Sequence, residues 1–347
     1  MSVRSNFHNK KQTPPFLVIF INSICNLTCE HCFYWKNLNQ RDDLTVDEFE
    51  KLSLELGDFE QLNLSGGEPF MHKQFAEIVR FFLNNNKVSE VYVPTNGFYT
   101  SLTQKQVLKV LESKTLKLFA CEISLDGTEA FHNDFRGNKQ SFQKAMETYD
   151  MLAEIQQQDP RLRIHCISTA TSTNMIELSE LTEYLYERCP AMDHHNLAII
   201  RGDRKNPSLI GPSLERYENL YRHFAKVWEP REKERYGSSV EPMLQWAKSK
   251  IIENESQYIS CTAGNMSGVV YANGDVSVCE MREPIGNLRD KSFFDIWDSQ
   301  ETELVRADIS AKNCHCTTEV SLWPSIVYQP VELGRAIVGA NSKWKKK

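Results

Sequence analysis

The chain has 347 residues, with 40 basic against 46 acidic side chains and a formal charge of −6. Hydrophobic residues make up 41% and charged residues 25%, proportions that exclude a fully disordered chain, and no global basic field points to a nucleic-acid partner. The most apolar early run, Phe16 to Ile21, is far shorter than the roughly 20 residues that span a bilayer, and no small-residue cleavage site follows it. A cytoplasmic protein with neither a nucleic-acid nor a membrane partner is therefore expected.

In chain order, apolar runs of strand length alternate with longer amphipathic ones. Strands are predicted near Phe16–Asn22, Gln61–Ser65, Glu90–Pro94, Leu118–Leu125, Arg163–Thr169 and Asn196–Ile200. Helices are predicted near Thr45–Leu56, Phe75–Asn84, Thr103–Leu111, Ser141–Gln157 and Met175–Glu187. Thr45 with Glu48, and Thr103 with Gln106, have capping-box spacing. This alternation implies an α/β fold of parallel strands joined by right-handed crossovers, either an open doubly wound sheet or a partial barrel. In both, chemistry gathers at the carboxyl ends of the strands. There the sequence has a cysteine cluster after strand one, Ser65-Gly66-Gly67-Glu68-Pro69 after strand two, Thr95-Asn96-Gly97 after strand three and Ser124-Leu125-Asp126-Gly127 at the end of strand four.

Beyond Gly211 the pattern changes. Pro212 and Ser213 open a charged helix through Glu229, a polar stretch with Pro230 and Gly237 follows, and another helix is predicted near Val240–Glu253. Asn273-Gly274 between β-rich runs is a hairpin signal. It places a small β-hairpin module at 259–325, followed at 326–347 by a tail ending in a frayed, solvated Lys343–Lys347.

Seven of the ten cysteines are clustered: Cys25, Cys29 and Cys32; Cys261 and Cys279; Cys314 and Cys316. A disulfide framework suits small secreted domains, so clustered thiols in this larger chain point to metal ligation. Cys121, Cys166 and Cys189 stand alone and are expected to pack as small hydrophobes. Three thiols on one loop leave a zinc site one ligand short. They suit a 4Fe–4S cube, three irons taking a thiolate each and the fourth staying open for a small molecule.

Cys25-Asn-Leu-Thr-Cys29-Glu-His-Cys32 resembles the signature of radical S-adenosylmethionine (radical SAM) enzymes, and the resemblance extends across 16–201. It implies a partial (β/α)6 TIM-like barrel at 14–211, a helical linker at 212–258 and, at 259–325, a small auxiliary-cluster domain. It implies that Gly66, Gly67 and Glu68 belong to the motif holding the methionine amino group of S-adenosylmethionine. Asn96, Ser124 and Asp126 are implied to line its ribose and methionine parts, and Arg136 to pair with its carboxylate; Arg201 is a looser match. Where the family often has an aromatic residue before the last cysteine, this chain has His31, whose ring is expected beside adenine and not as a ligand.

The segment holding Cys261, Gly274 and Cys279 resembles the opening of the SPASM and twitch extensions. With Cys314 and Cys316 it supplies four thiols, fewer than a full SPASM extension, which implies the twitch type with one auxiliary 4Fe–4S cluster. The family usually has Cys-x2-Cys where this chain has Cys314-His315-Cys316, and four thiolates would also satisfy a structural zinc. Asp193, His194 and His195 are expected to be mainly structural.

The function so implied is reductive cleavage of S-adenosylmethionine to a 5′-deoxyadenosyl radical that abstracts a substrate hydrogen, giving net oxidation or bond formation. The substrate is a small molecule or a peptide, and the external electron donor is of flavodoxin or ferredoxin type. The chain has no obvious extra domain for a peptide leader, which leans toward a small molecule or a peptide presented by a partner. The alternatives are a protein-modifying enzyme of the sulfatase-maturase type and a non-catalytic iron–sulfur electron carrier; a zinc-only binding module is the weakest reading.

Overall fold

The computed structural model describes residues 12–232 and 237–344. Six parallel strands form its core: β1 (Phe16–Phe20), β2 (Gln61–Ser65), β3 (Glu90–Thr95), β4 (Leu118–Ser124), β5 (Leu162–Ala170) and β6 (His194–Ile199), each paired with the next. β1 is buried along its whole length, as expected for a β-branched and aromatic run covered on both faces. β2, β3 and β5 alternate instead between buried and half-buried residues. Their buried face carries residues such as Leu62, Leu64, Val91, Val93, Ile164 and Cys166, which join the main hydrophobic core. Their half-buried face is largely polar and looks into the concave side of the sheet. Among the described residues the sheet is open, with β6 at one edge.

The crossovers are α1 (Val46–Glu55), α2 (Phe75–Asn85), α3 (Thr100–Leu111), α4 (Glu129–Phe135) with α5 (Ser141–Gln158), and α6 (Met175–Arg188). The capping box at Thr45 and Glu48 forms. The one expected at Thr103 and Gln106 does not. α3 begins a turn earlier, and tertiary contacts claim Gln106, which accepts from Ala76 N at 3.2 Å and donates to Lys73 O at 3.0 Å. Cys121, Cys166 and Cys189 are fully buried core residues, as expected.

The later part departs further from expectation. The hairpin strands β7 (Ser267–Val270) and β8 (Asp275–Ser277) form around Asn273-Gly274, with a short β9 (Gly286–Asn287) beyond. They are not a free-standing module. β7 pairs in parallel with β1, so one nine-stranded sheet runs β6-β5-β4-β3-β2-β1-β7-β8-β9. The fully buried run Ser267–Val270 satisfies the free edge of β1.

The linker forms α7 (Leu214–Glu232), running through Pro230, and α8 (Gly237–Asn254). After the short α9 (Phe293–Trp297) and α10 (Gln300–Ser310) come α11 (Glu319–Val327) and α12 (Pro330–Trp344), where a tail was expected. The Ala336 and Ala340 positions of α12 are buried in a second core with Trp246 and Ala247 of α8. Trp344 donates to Pro242 O at 2.9 Å, and Lys343 pairs with Glu218, so neither is frayed; Lys345–Lys347 lie outside the described residues. α8 and α11 wall the open side of the barrel: Glu319 accepts from Asn196 of β6 at 3.1 Å and from Lys248 of α8, and Tyr328 donates to Glu60 at 2.6 Å.

The docking of α12 on α8 gives a direct test. A Cβ at Gly339 would fall 2.1 Å from the Trp246 indole, a flat ring with little room to yield. Gly339→Ala is expected to destabilise the protein by about 1–3 kcal/mol through overpacking, read as a lower urea midpoint. An unchanged midpoint would mean that this helix does not rest on Trp246.

Candidate active site

The cysteine loop leaves β1 and is laced from three sides by backbone. Gly67 N and Glu68 N donate to Asn22 O and Ile24 O at 2.9 and 2.7 Å. Thr28 N and Glu30 N donate to Arg136 O and Phe135 O, and Lys205 N and Asn206 N donate to Cys32 O and Glu30 O. The first contact requires glycine. A Cβ on Gly67 would lie 2.2 Å from Ile24 O, and one on Gly66, at φ +146°, would lie 2.5 Å from Asn22 O. The glycine pair thus lets the β2 loop lie flat against the loop that carries the thiols.

A cavity of about 1430 Å³ opens on this rim and continues down the inside of the barrel. Cys25, Cys29, Cys32, Gly66, Gly67, Glu68, Asn96, Ser124, Arg136 and Arg201 all line it. Asp126 does not; the structure places it behind Arg136. It is fully buried and accepts from Arg136 Nε at 2.8 Å and Nη2 at 2.6 Å, while Thr169 N donates to its other oxygen at 2.8 Å. Burial opposes ionisation of Asp126, but the Arg136 guanidinium outweighs it and holds the carboxyl at about 2. The expected ligand-facing carboxylate is therefore the anchor of the expected ligand-facing arginine.

Glu68 behaves similarly. Its carboxylate accepts from Thr95 Oγ1 at 2.8 Å, Asn96 N at 2.7 Å and Phe70 N at 3.2 Å, stitching the β2 loop to the end of β3. Burial nevertheless pushes its carboxyl up to about 7. Asn96 also donates to Asn26 Oδ1 at 3.0 Å, which ties it to the cysteine loop. His31 stacks on Phe135 with ring centres 4.8 Å apart and planes 6° apart, and its buried Nδ1 has no partner.

Burial pushes the Cys25 thiol up to about 12 and Cys32 to about 11, and Cys29 is raised for the same reason. Such thiols ionise only against a compensating cation, which a metal centre supplies. Among the described residues no three His, Cys, Asp or Glu side chains close around a point suited to a single ion. Three thiols on one rim are the donor set that a 4Fe–4S cluster with one open iron would take.

The second group lies in the extension that follows α8. Cys261 precedes β7, Cys279 follows β8, and Cys314 and Cys316 lie between α10 and α11. Cys261 is close enough to interact with the charges of Cys316 and Cys314, and Cys279 with those of Cys316 and Cys261. Burial, the largest cause, brings both Cys261 and Cys279 to about 12. Gln257 joins the strand side to the helix side, accepting from Cys261 N at 3.1 Å and donating to Cys314 O at 3.3 Å.

The Radical SAM superfamily profile matches residues 19–178, and the SPASM profile, an iron–sulfur cluster-binding domain, matches 261–317. The chain carries a radical SAM domain and a SPASM-type extension. A radical SAM domain implies a 4Fe–4S cluster and S-adenosylmethionine, and a SPASM domain implies auxiliary iron–sulfur clusters. The chain is 23% identical over 310 residues to the sporulation killing factor maturation protein SkfB of Bacillus subtilis, covering 87% of this chain and 68% of SkfB. It is 28% identical over 162 residues to the antilisterial bacteriocin subtilosin biosynthesis protein AlbA of the same organism, covering 46% of this chain and 34% of AlbA. The structure of anSMEcpe with bound AdoMet and Cp18Cys peptide matches with a TM-score of 0.60 at 18% identity, over 95% of this chain and 99% of that one. Streptococcus suis SuiB gives 0.60 at 15%, over 85% and 68%. These solved structures share the fold of this chain.

Glu280, next to Cys279, escaped sequence reasoning. It pairs with Arg201 at 3.0 Å, and Arg201 also lies over the Phe33 ring at 4.9 Å, so one arginine joins the cysteine loop, the β6 loop and the extension. No local motif announces that contact. His194 and His195 are held structurally: His194 binds Glu232, and His195 binds Ser168 at 2.7 Å and Thr182 at 3.0 Å. Asp193 accepts from Gln156 at 2.7 Å and Ile164 N at 2.9 Å.

The Asp126–Arg136 pair sets the next test. Asp126→Ala strands a buried guanidinium and is expected to cost about 3–5 kcal/mol by chemical denaturation. The pair's contribution is present above the ordinary carboxyl value of 3.8 and is lost as the pH falls toward about 2. A cost below about 1 kcal/mol, the range of exposed ion pairs, would show that the pair anchors nothing.

Proposed function

We propose that the protein is a radical SAM enzyme acting on a peptide, with Cys25, Cys29 and Cys32 holding the catalytic 4Fe–4S cluster. Cys261, Cys279, Cys314 and Cys316 hold one auxiliary 4Fe–4S cluster. The observation that carries this reading is the placement of three thiols, the Gly66-Gly67-Glu68 loop, Asn96, Ser124 and Arg136 on one rim of one deep cavity. When bound, the cluster and S-adenosylmethionine supply reductive cleavage to a 5′-deoxyadenosyl radical, which removes a substrate hydrogen atom.

The chain's own residues bind, orient and shield. Arg136 is held by hydrogen bonds from its Nε and Nη2 that converge on one oxygen of Asp126, so its remaining edge is left to the cavity and would offer charge to the methionine carboxylate. The β2 loop, flattened by its glycines, presents backbone carbonyls to the methionine amino group. His31, flat on Phe135, offers a ring face and an unpartnered nitrogen to adenine. Asn96 and Ser124 complete the wall beside the ribose and methionine parts. The inner face of the barrel, closed by α8 and α11, keeps the reacting atoms from bulk water.

A peptide is favoured over a free small molecule by the maturation and biosynthesis relatives SkfB and AlbA. The partner that supplies electrons is a flavodoxin or ferredoxin type donor.

Anaerobic reconstitution tests the assignment. Cys29→Ala is expected to lose about four irons per chain and all 5′-deoxyadenosine formation with S-adenosylmethionine and a strong reductant. Continued formation would remove Cys29 from the catalytic centre. Cys279→Ala is expected to lose a similar amount of iron while retaining 5′-deoxyadenosine formation, and full iron retention would place the second cluster elsewhere.

A further inference from the structure

Below the rim, the inner face of the barrel carries a row of ionisable groups fixed by strand register. Glu122 of β4 is register-paired with His165 of β5, and His165 with His194 of β6. All three line the cavity. His165 Nδ1 lies 3.7 Å from Glu122 Oε1, and the His165 and His194 rings meet edge to face at 6.0 Å. Two residues of strand separate Glu122 from Ser124, so its carboxylate stands about 7 Å below the level of the rim.

Most carboxylates around this cavity are committed; Glu90, whose side chain like that of Glu122 has no hydrogen bond among the described residues, lies at the start of β3, five residues below Thr95 and far from the rim. Glu68 holds three donors, Asp193 holds Arg163 and Gln156, Glu280 holds Arg201, and Glu319 holds Lys248. His194 is bound to Glu232 and faces Glu241 at 3.8 Å. Glu122 differs. Its side chain is 16% exposed, and among the described residues its one ion-pair contact is the long approach of His165. Its carboxylate thus faces the cavity with no hydrogen-bond partner among the described residues. On one flank stands Tyr92 of β3, an aromatic ring that also lines the cavity and lies between the charges of Glu90 and Glu122.

We propose that Glu122 is the recognition point for a cationic group of the substrate, an ammonium or guanidinium, with His165 holding the carboxylate in place. The inference rests on the reading that this cavity receives the substrate, and it adds the substrate's charge. A cation seated on Glu122 leaves the atoms about 7 Å above it at the level of the cysteine rim, where the hydrogen is removed. The same group can come from a lysine side chain of a peptide or from a free amine.

Isothermal titration of the reconstituted full-length protein, with S-adenosylmethionine present, tests this. The cationic probes are Nα-acetyl-lysine amide and n-butylamine, and the neutral control is Nα-acetyl-norleucine amide. The cationic lysine amide is expected to bind on the order of tenfold more tightly than its neutral counterpart, and Glu122→Gln is expected to abolish that difference. Preference for the lysine amide over n-butylamine identifies a peptide side chain as the source, and the reverse preference a small amine. Equal binding of the neutral control, no cation-selective binding, or selectivity that survives in Glu122→Gln overturns the proposal. The wild-type comparison alone keeps it falsifiable should the variant not fold. Formation of 5′-deoxyadenosine by the wild-type protein without selective binding sinks this inference only, whereas selective binding without that product sinks the parent reading.

Discussion

The arrangement of this molecule depends on three clustered thiols whose ionisation burial opposes. Partial burial opposes ionisation of Cys25, Cys29 and Cys32, and the repulsion between neighbouring thiolates adds to it at Cys25 and Cys32. Thiolate charge therefore does not shape this loop. The chain shapes it by backbone hydrogen bonds from the β2 loop, the α4 terminus and the β6 loop. Only main-chain groups and glycines take part in the closest of these contacts, so they hold the loop without calling on the charge of its thiols.

The buried carboxylates follow the same economy of position. Asp126 and Glu68 stand where a ligand-binding role is expected, yet each turns its charge to holding protein. Asp126 orients Arg136, and Glu68 binds the β2 loop to β3 and, through Asn96, to Asn26 of the cysteine loop. The groups left facing the cavity at the rim are mainly thiols, backbone, amide, hydroxyl and the outer face of a guanidinium. That composition suits a zwitterionic amino acid moiety, because the anion-binding group is fixed and no unpaired rim carboxylate competes for it.

Much of this was legible in the sequence because it is local. The six parallel strands, their helices, the Thr45 capping box and the hairpin at Asn273-Gly274 all rest on short patterns of apolar spacing or turn chemistry. What was not legible is non-local. The pairing of β7 with β1 joins residues some 250 positions apart, and nothing within Ser267–Val270 names its partner. The Gln106 side chain has capping spacing but is recruited by α2, a competition visible only in three dimensions. α12 looked like a basic tail because its exposed residues and lysines hide a narrow strip of alanine and glycine that fits Trp246. Glu122 and His165 did carry a signal: each is a polar residue at an alternate position within an apolar strand, which marks the inward face of an open barrel.

The parallel addition of β7 to β1 changes what the extension does. A separate hairpin domain would influence the core through a linker, with freedom to move. Here the extension shares the sheet, and its helix α11 forms a wall of the cavity and meets α8 and β6 at Glu319. Arg201 joins the β6 loop to Glu280 beside Cys279. Residues that hold the second thiol group are thus in hydrogen-bond contact with residues that line the first cavity. A continuous sheet and the partly buried Arg201–Glu280 ion pair therefore connect the two thiol groups directly, with no linker between them.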